Sequence, residues 1–345
     1  MRILVTGGGG FLGTHLITEL LKNPRYMVTN FSRHSYLHLE EMGVPTIKGD
    51  LRKKEDIDRA LAQGFDTVFH VAALAGVWGD YDEYFSINVT GTQNLIEAAK
   101  SHGVSRFVHT SSPSAVLGLG GHMGVGEEIP YPEVHLNAYG ETKQKAEEIV
   151  LAANDNRTFL TCALRPHLIW GPGDPHIFPR IISKARQGKL KIVGDGENLV
   201  DIIYVENAAR AHVQAMEKLT PGSSLCGQAY FLGQERPVKI WEFVNIILGQ
   251  MKIDPPTKNV DYNTAFRAGK FFEFIWKMLG IKKPDPPMTR FVAMNLGTHH
   301  YFSHAKAKRD FGFHPEISIE EGLRRTFAHK ANVVRDLSPG AIPKA

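Results

Sequence analysis

The stretch Thr6-Gly7-Gly8-Gly9-Gly10-Phe11-Leu12-Gly13 follows the apolar run Ile3-Leu4-Val5 and opens a helical pattern over residues 11–22. A strand, a glycine-rich turn and a helix in that order form a phosphate cradle. One glycine makes the tight turn, one lets a pyrophosphate approach the backbone, and Gly13 lets the helix pack on the strand. The helix N-terminus then offers free N–H groups to phosphate oxygens. Gly7, Gly10, Phe11, Leu12 and Gly13 are therefore expected to hold a dinucleotide.

The pattern continues outward from this turn. Short β-branched runs at 3–6, 27–31, 67–71, 107–110 and 159–164 alternate with helical patterns at 11–22, 53–62, 83–102 and 138–153. This rhythm predicts an α/β, Rossmann-like doubly wound parallel sheet covered on both faces. It breaks after Arg165-Pro166, in a cluster of prolines and glycines at 170–175. The expected division assigns residues 1–165 and about 201–232 to the nucleotide-binding domain. About 166–200 and 233–330 form a smaller, mostly helical substrate-binding lobe, and 331–345 form a tail without periodicity.

With 345 residues, 22% charged and 43% hydrophobic, the chain has a globular composition. A net charge of +4 is too dispersed to argue for nucleic acid. Two cysteines make no disulfide framework and suit a reducing compartment. No leader pattern is visible at Met1-Arg2, so the cytoplasm is the expected setting. No spacing of His, Cys and carboxylates suggests a metal site.

The second strand ends in Asn30-Phe31-Ser32-Arg33, with no acid for a ribose 2′-hydroxyl. Ser32 and Arg33 can bind a 2′-phosphate through a hydroxyl and a charge. NADP(H) is the expected cofactor, with NAD(H) as the alternative. Gly49-Asp50-Leu51 closes the third strand. Asp50 and Leu51 are expected at the adenine, with Asp50 also read as a cap for the following helix.

Tyr139 and Lys143 stand four apart at the start of a predicted helix, on one face. A neutral tyrosine can hand its proton to a carbonyl as hydride arrives. A nearby ammonium favours the phenolate and is expected to lower the tyrosine pKa. Thr110-Ser111-Ser112 ends the preceding strand, and one hydroxyl there can orient the substrate oxygen. Ser112 is preferred and Ser111 is the alternative.

Taken with Tyr139, Lys143, Ser112 and the glycine turn, four more segments resemble the extended short-chain dehydrogenases/reductases in order. They are Gly49-Asp50-Leu51, His70-Val71-Ala72-Ala73, Asn88-Val89-Thr90-Gly91-Thr92 and Arg165-Pro166-His167 with Trp170-Gly171-Pro172-Gly173. The resemblance covers about residues 1–330. It implies that Ala72 and Ala73 pass close to the cofactor and that Asn88 tethers strand ends. It places Pro166 and His167 near the nicotinamide. It also implies a homodimer built from the helices at 83–102 and 138–153.

Within that family the chain resembles the 3β-hydroxysteroid dehydrogenase branch. Gly194-Asp195-Gly196-Glu197-Asn198 and His299-His300-Tyr301-Phe302-Ser303 are similar to sterol-4α-carboxylate 3-dehydrogenases. Trp78-Gly79-Asp80-Tyr81-Asp82-Glu83-Tyr84 is similar to bacterial 2-alkyl-3-oxoalkanoate reductases. The loop 112–118 is one residue longer than the family's usual turn. It lacks the Asp-Glu pair with which sugar-nucleotide dehydratases eliminate water.

Residues 262–302 are rich in aromatic side chains, which suit an apolar small-molecule substrate better than a sugar nucleotide. Ala268, Phe271, Phe272, Ile275 and Leu279 are expected to form one stripe. It would wall a pocket or make a peripheral membrane contact through 265–279. The glycine-rich loop 118–126 is expected to flex over the site. His167 and Arg180 are candidates to meet a substrate carboxylate. The expected activity is hydride transfer between a secondary alcohol and a ketone on a bulky apolar 3-oxo or 3-hydroxy acid. The alternatives are a sugar-nucleotide epimerase using the same three residues and a non-catalytic cofactor sensor.

Overall fold

Ile3, Leu4 and Val5 are fully buried. Ile3 and Val5 enter one apolar cluster and Leu4 enters another, so the strand is covered on both sides. The computed structural model describes residues 1–328, and the expected tail at 331–345 lies outside them. This first strand, β1 (Arg2–Thr6), is an inner strand of a seven-stranded sheet. The others are β2 (Met27–Ser32), β3 (Thr46–Lys48), β4 (Thr67–His70), β5 (Arg106–Thr110), β6 (Leu160–Pro166) and β7 (Gln228–Leu232). Their order is β7-β6-β5-β4-β1-β2-β3, with every pair parallel. The order reverses between β1 and β4. A crevice at the carboxyl ends of these two strands is where such sheets bind ligands. The Rossmann-like fold expected from the sequence is the fold observed.

Five helices cover the sheet: α1 (Phe11–Leu20), α2 (Lys54–Leu61), α3 (Gly91–Ser101), α4 (Ala138–Ala152) and α5 (Val205–Lys218). Leu12, Leu16 and Ile17 of α1 pack with Ala208, Ala211 and Met216 of α5 on one face. Ile57, Leu95, Ile96 and Val150 close the other. The single helix expected at 83–102 is broken. A short helix, Tyr81–Phe85, passes through one π-helical turn, Ser86–Thr90, before α3 begins. That wider turn carries the buried Asn88.

The lobe contains helices Ile177–Arg186 and Ile240–Gln250, then α6 (Tyr262–Met278) and α7 (Arg290–Gly297). It also holds a four-stranded sheet of Val238–Lys239, Leu199–Val200, His300–Phe302 and His122–Val125. The loop expected to flex at 118–126 thus contributes a strand, paired in parallel with His300–Phe302. The expected division is crossed twice. His122–Val125 joins the lobe, while Ala307 and Phe311 of the helix Ala305–Phe311 return to the core beside α1 and α5. None of the described helices is long and apolar enough to cross a membrane.

Candidate active site

Gly7 takes φ +71°, and a Cβ there would lie 2.8 Å from the Ala72 Cα. A Cβ on Gly13 would lie 2.2 Å from the Gly7 carbonyl oxygen. Side chains would fill the cradle or push α1 off β1. Gly10 precedes α1 and supplies no side-chain cap, which leaves first-turn N–H groups to an anion. Phe11 packs edge-on against His15 at 5.7 Å, and Leu12 is buried. Asn30 locks the loop from below. Its Oδ1 accepts from the Gly8 N–H at 2.9 Å, and its Nδ2 donates to Ser32 and Thr46 hydroxyls at 2.8 and 3.1 Å. This cradle fits a dinucleotide pyrophosphate.

Where β2 ends, the Ser32 hydroxyl donates to the His34 carbonyl at 2.7 Å. Arg33 is exposed and has no ion-pair partner among the described residues. Asp50 accepts from the Arg52 guanidinium at 2.5 Å, a bond that holds its carboxyl below the usual range. The expected capping role of Asp50 is not observed. The following helix, α2, starts after Lys53, and its first turn has no side-chain cap. Leu51 is buried, and its carbonyl accepts from Asn94 Nδ2 at 3.1 Å.

The exit of β4 is tied to β1 and to α3. His70 bridges the Thr6 and Thr92 hydroxyls at 2.8 Å each, and burial pushes its pKa down to about 3. The Ala72 N–H donates to Thr6 Oγ1 at 3.3 Å, and Ala73 beside it is exposed. Asn88 accepts from the Leu74 N–H at 2.7 Å and donates to Thr142 Oγ1 at 3.1 Å. The expected tether therefore runs from the β4 exit to α4.

Asn137 caps α4 by accepting from the Gly140 N–H at 2.9 Å, which sets Tyr139 in the first turn and Lys143 one turn later. Ser111 and Ser112, beyond β5, have different surroundings. The Ser112 Oγ accepts from the Ser114 N–H at 3.1 Å, and its hydroxyl beside the Tyr139 phenol draws the phenol's pKa down against the larger upward push of burial. The Ser111 hydroxyl is buried and has no hydrogen-bond partner among the described residues. The geometry therefore brings Ser112, of the two serines, to Tyr139. Gly140 permits the approach, since a Cβ there would lie 2.7 Å from the Ser114 carbonyl oxygen.

The expected influence of Lys143 on Tyr139 is not what the structure shows. The Lys143 ammonium donates to the Thr110 carbonyl at 2.6 Å and lies 3.3 Å from His109 Nε2. Burial pulls Lys143 down to about 8, and Glu147 pulls it back up. The net direction for Tyr139 is upward, because desolvation of a phenolate outweighs the influence of the Ser112 hydroxyl.

Glu147 is the member of this site that sequence reasoning missed. It is fully buried one turn beyond Lys143. It accepts from Arg165 at 2.5 and 2.9 Å and from the Tyr131 hydroxyl at 2.7 Å. The available signal was the spacing: Tyr139, Lys143 and Glu147 recur at steps of four, on one helix face.

Pro166 ends β6, and the His167 N–H donates to the Leu232 carbonyl at 3.3 Å. His167 Nε2 lies 2.6 Å from His300 Nδ1, and His300 Nε2 lies 2.8 Å from the Asn295 carbonyl. The bonding network assigns the tautomers: His300 donates to the carbonyl and accepts from His167. Burial holds His167 well below its usual pKa, hence neutral. Arg180 is paired with Asp285 at 3.1 Å. Neither expected carboxylate partner presents an unpaired positive charge.

Just beyond Ser112, Val116 and Leu117 enter an apolar cluster with Leu136, Phe231, Met294 and Phe302. Half-buried Phe266 and Phe291 pack against it, and Phe231 stacks on Phe302 at 4.0 Å. The expected stripe on α6 divides. Ala268, Phe272 and Ile275 are half-buried, while Phe271 and Leu279 are exposed. The face that α6 buries is Ala265, Gly269 and Glu273 instead.

Residues 4–260 match the model of the 3-beta hydroxysteroid dehydrogenase/isomerase family. A 2-alkyl-3-oxoalkanoate reductase of Stenotrophomonas maltophilia is 46% identical over 338 residues, covering 96% of this chain and 100% of that protein. A decarboxylating sterol-4-alpha-carboxylate 3-dehydrogenase of Mus musculus is 35% identical over 329 residues, covering 94% of this chain and 90% of that protein. Among solved structures, the UDP-glucuronic acid 4-epimerase of Bacillus cereus in complex with NAD aligns with a TM-score of 0.75 at 22% identity. It covers 98% of this chain and 100% of that one, and the likeness is one of fold.

Proposed function

The chain belongs to the 3-beta hydroxysteroid dehydrogenase/isomerase family, and we propose that it reduces long-chain 2-alkyl-3-oxoalkanoates to the 3-hydroxy acids with NADPH. Its class is NAD(P)-dependent oxidoreductase acting between a secondary alcohol and a ketone. The observation that carries the substrate is the full-length 46% identity to a reductase of that name. The sterol relative's name describes an oxygen one carbon away from a carboxylate-bearing carbon, so a 3-oxygenated acid is common to both. The apolar cluster beginning at Val116 agrees with an alkyl substrate.

When bound, the nicotinamide supplies the hydride. Gly7, Gly10 and Gly13 and the α1 N-terminus would hold its pyrophosphate, and Arg33 would meet a 2′-phosphate. Ser112 orients the ketone oxygen, and Tyr139 passes its phenol proton to that oxygen. Burial keeps the phenol protonated, which suits reduction. Lys143, cationic below about pH 8, offers its charge to the ribose hydroxyls.

The test is a chain-length series of 3-oxo acids beside UDP-glucose and UDP-galactose, with NADPH. Each added methylene contributes about 0.8 kcal/mol, or roughly a fourfold gain in kcat/KM, until the pocket ends. A flat response to chain length, or turnover of the UDP-sugars alone, would replace this reading with the epimerase.

A further inference from the structure

Helix α6 has two unlike sides. Its inner side is fixed. A Cβ on Gly269 would lie 2.6 Å from the Arg290 nitrogen, and Glu273 accepts from Arg290 Nε at 2.6 Å and from its backbone N–H at 2.7 Å. That pairing turns the helix's one carboxylate inward, against α7. The outer side carries Phe271, Phe274 and Met278, with Leu279 just past the end, each about 60% exposed. These are four of the twelve large hydrophobic side chains exposed among the described residues, gathered within nine positions. Arg267, Lys270 and Lys277 are exposed on the same helix, and none has an ion-pair partner among the described residues.

We infer that this face docks on the surface of an anionic phospholipid bilayer. Exposed aromatic and thioether side chains enter the acyl boundary, while the three cations meet headgroup phosphates. The charge balance is what selects this occupant. An isologous contact with a second copy would set Arg267, Lys270 and Lys277 against the same three cations. No carboxylate on the helix is free to answer them. The helix would lie on the surface, since no described helix is long and apolar enough to cross.

The inference rests on the proposed apolar substrate for its purpose. Phe266, on the same helix, packs against the cluster that begins at Val116, close behind Ser112. Docking would place that cluster near the phase in which a long-chain 3-oxo acid dissolves.

The test is flotation of the full chain with vesicles of 30% phosphatidylglycerol in phosphatidylcholine, and with phosphatidylcholine alone. It compares wild type with F271S/F274S and with R267Q/K270Q/K277Q. Wild type should bind the anionic vesicles at least tenfold better than the neutral ones. Each variant should lose at least tenfold, and 0.5 M salt should weaken binding. Turnover of a short, water-soluble 3-oxo acid should be unchanged in both variants, which shows that they fold. Equal flotation of wild type and variants, or no flotation of wild type, overturns the proposal. So does a self-association of wild type that F271S/F274S abolishes, or a need for a second protein before vesicles are bound. Absence of turnover with intact vesicle binding would instead strike the substrate reading alone.

Discussion

Gly140 packs so closely on Ser114 that a Cβ at position 140 would lie 2.7 Å from the Ser114 carbonyl oxygen. This contact sets the distance between α4, with Tyr139, and the loop with Ser112. Gly140→Ala should shift the helix by some tenths of an ångström or more. Misplacement on the order of 1 Å costs about a hundredfold in rate. We expect kcat to fall by tens to a hundredfold while cofactor affinity, measured by fluorescence titration, changes little.

Tyr139→Phe should lower kcat by at least about a hundredfold, the usual contribution of a positioned acid. Cofactor binding should persist, since the cradle is untouched. Ser112→Ala should follow it in direction. Ser111→Ala should retain most of the rate, because Ser112, and not Ser111, is the serine that acts on the phenol. Similar losses from both serine variants would erase the distinction drawn between them.

Lys143 and Glu147 give the pH dependence its sign. Burial lowers Lys143 to about 8, so its cation is lost as pH rises through that value. Reduction that needs the cation should be level at lower pH and descend above about pH 8. Glu147 raises Lys143, so Glu147→Gln should move the descending limb to lower pH. The variant also leaves Arg165 with an unpaired buried charge, a loss of about 3–5 kcal/mol. Thermal unfolding should report that loss beside the pH–rate profile.

Arg33→Ala tests the choice of dinucleotide. A charge-assisted hydrogen bond of about 1.5 kcal/mol corresponds to roughly tenfold. The dissociation constant for NADPH should rise about that much and the constant for NADH should not move. An unchanged ratio would show that Arg33 does not read the 2′-phosphate. Arg52 does not substitute for it, because its guanidinium is engaged by Asp50.

We propose a homodimer through α4 and the segment 83–102. Their outward residues are polar, including Gln93, Glu97, Lys145 and Glu148, so the contact would be isologous and rich in ion pairs. Light scattering at micromolar concentration should give twice the 38.4 kDa chain mass. A monomer would remove this arrangement.

The sheet was legible because its signal is local. Ile3-Leu4-Val5 before Gly7, Gly10 and Gly13 specifies a buried strand, a turn and a helix through hydrophobicity and backbone geometry, both read along a few residues. Tyr139 and Lys143 were legible through helical spacing. The break at Ser86–Thr90 was not, since the apolar spacing continues through it and the partners that Asn88 finds there, Leu74 and Thr142, come from other segments of the chain. The stripe on α6 was misread for a similar reason. Periodicity locates apolar side chains on a helix, but Gly269 and Glu273 became the buried face because Thr289 and Arg290 approach there.

By itself, then, the sequence determined a parallel nucleotide-binding sheet, a glycine cradle, the tyrosine and lysine, and the absence of an acid after β2. Each is written in neighbouring residues. The tertiary structure alone set Ser112 rather than Ser111 beside Tyr139, engaged Asp50 with Arg52, and turned Lys143 to Thr110. It also placed Glu147 beneath the site and paired His167 with His300. Those outcomes depend on which side chains meet across β5, β6, α4 and the lobe. Desolvation, which fixes the protonation of Tyr139, Lys143 and His167, exists only once distant segments have closed around them.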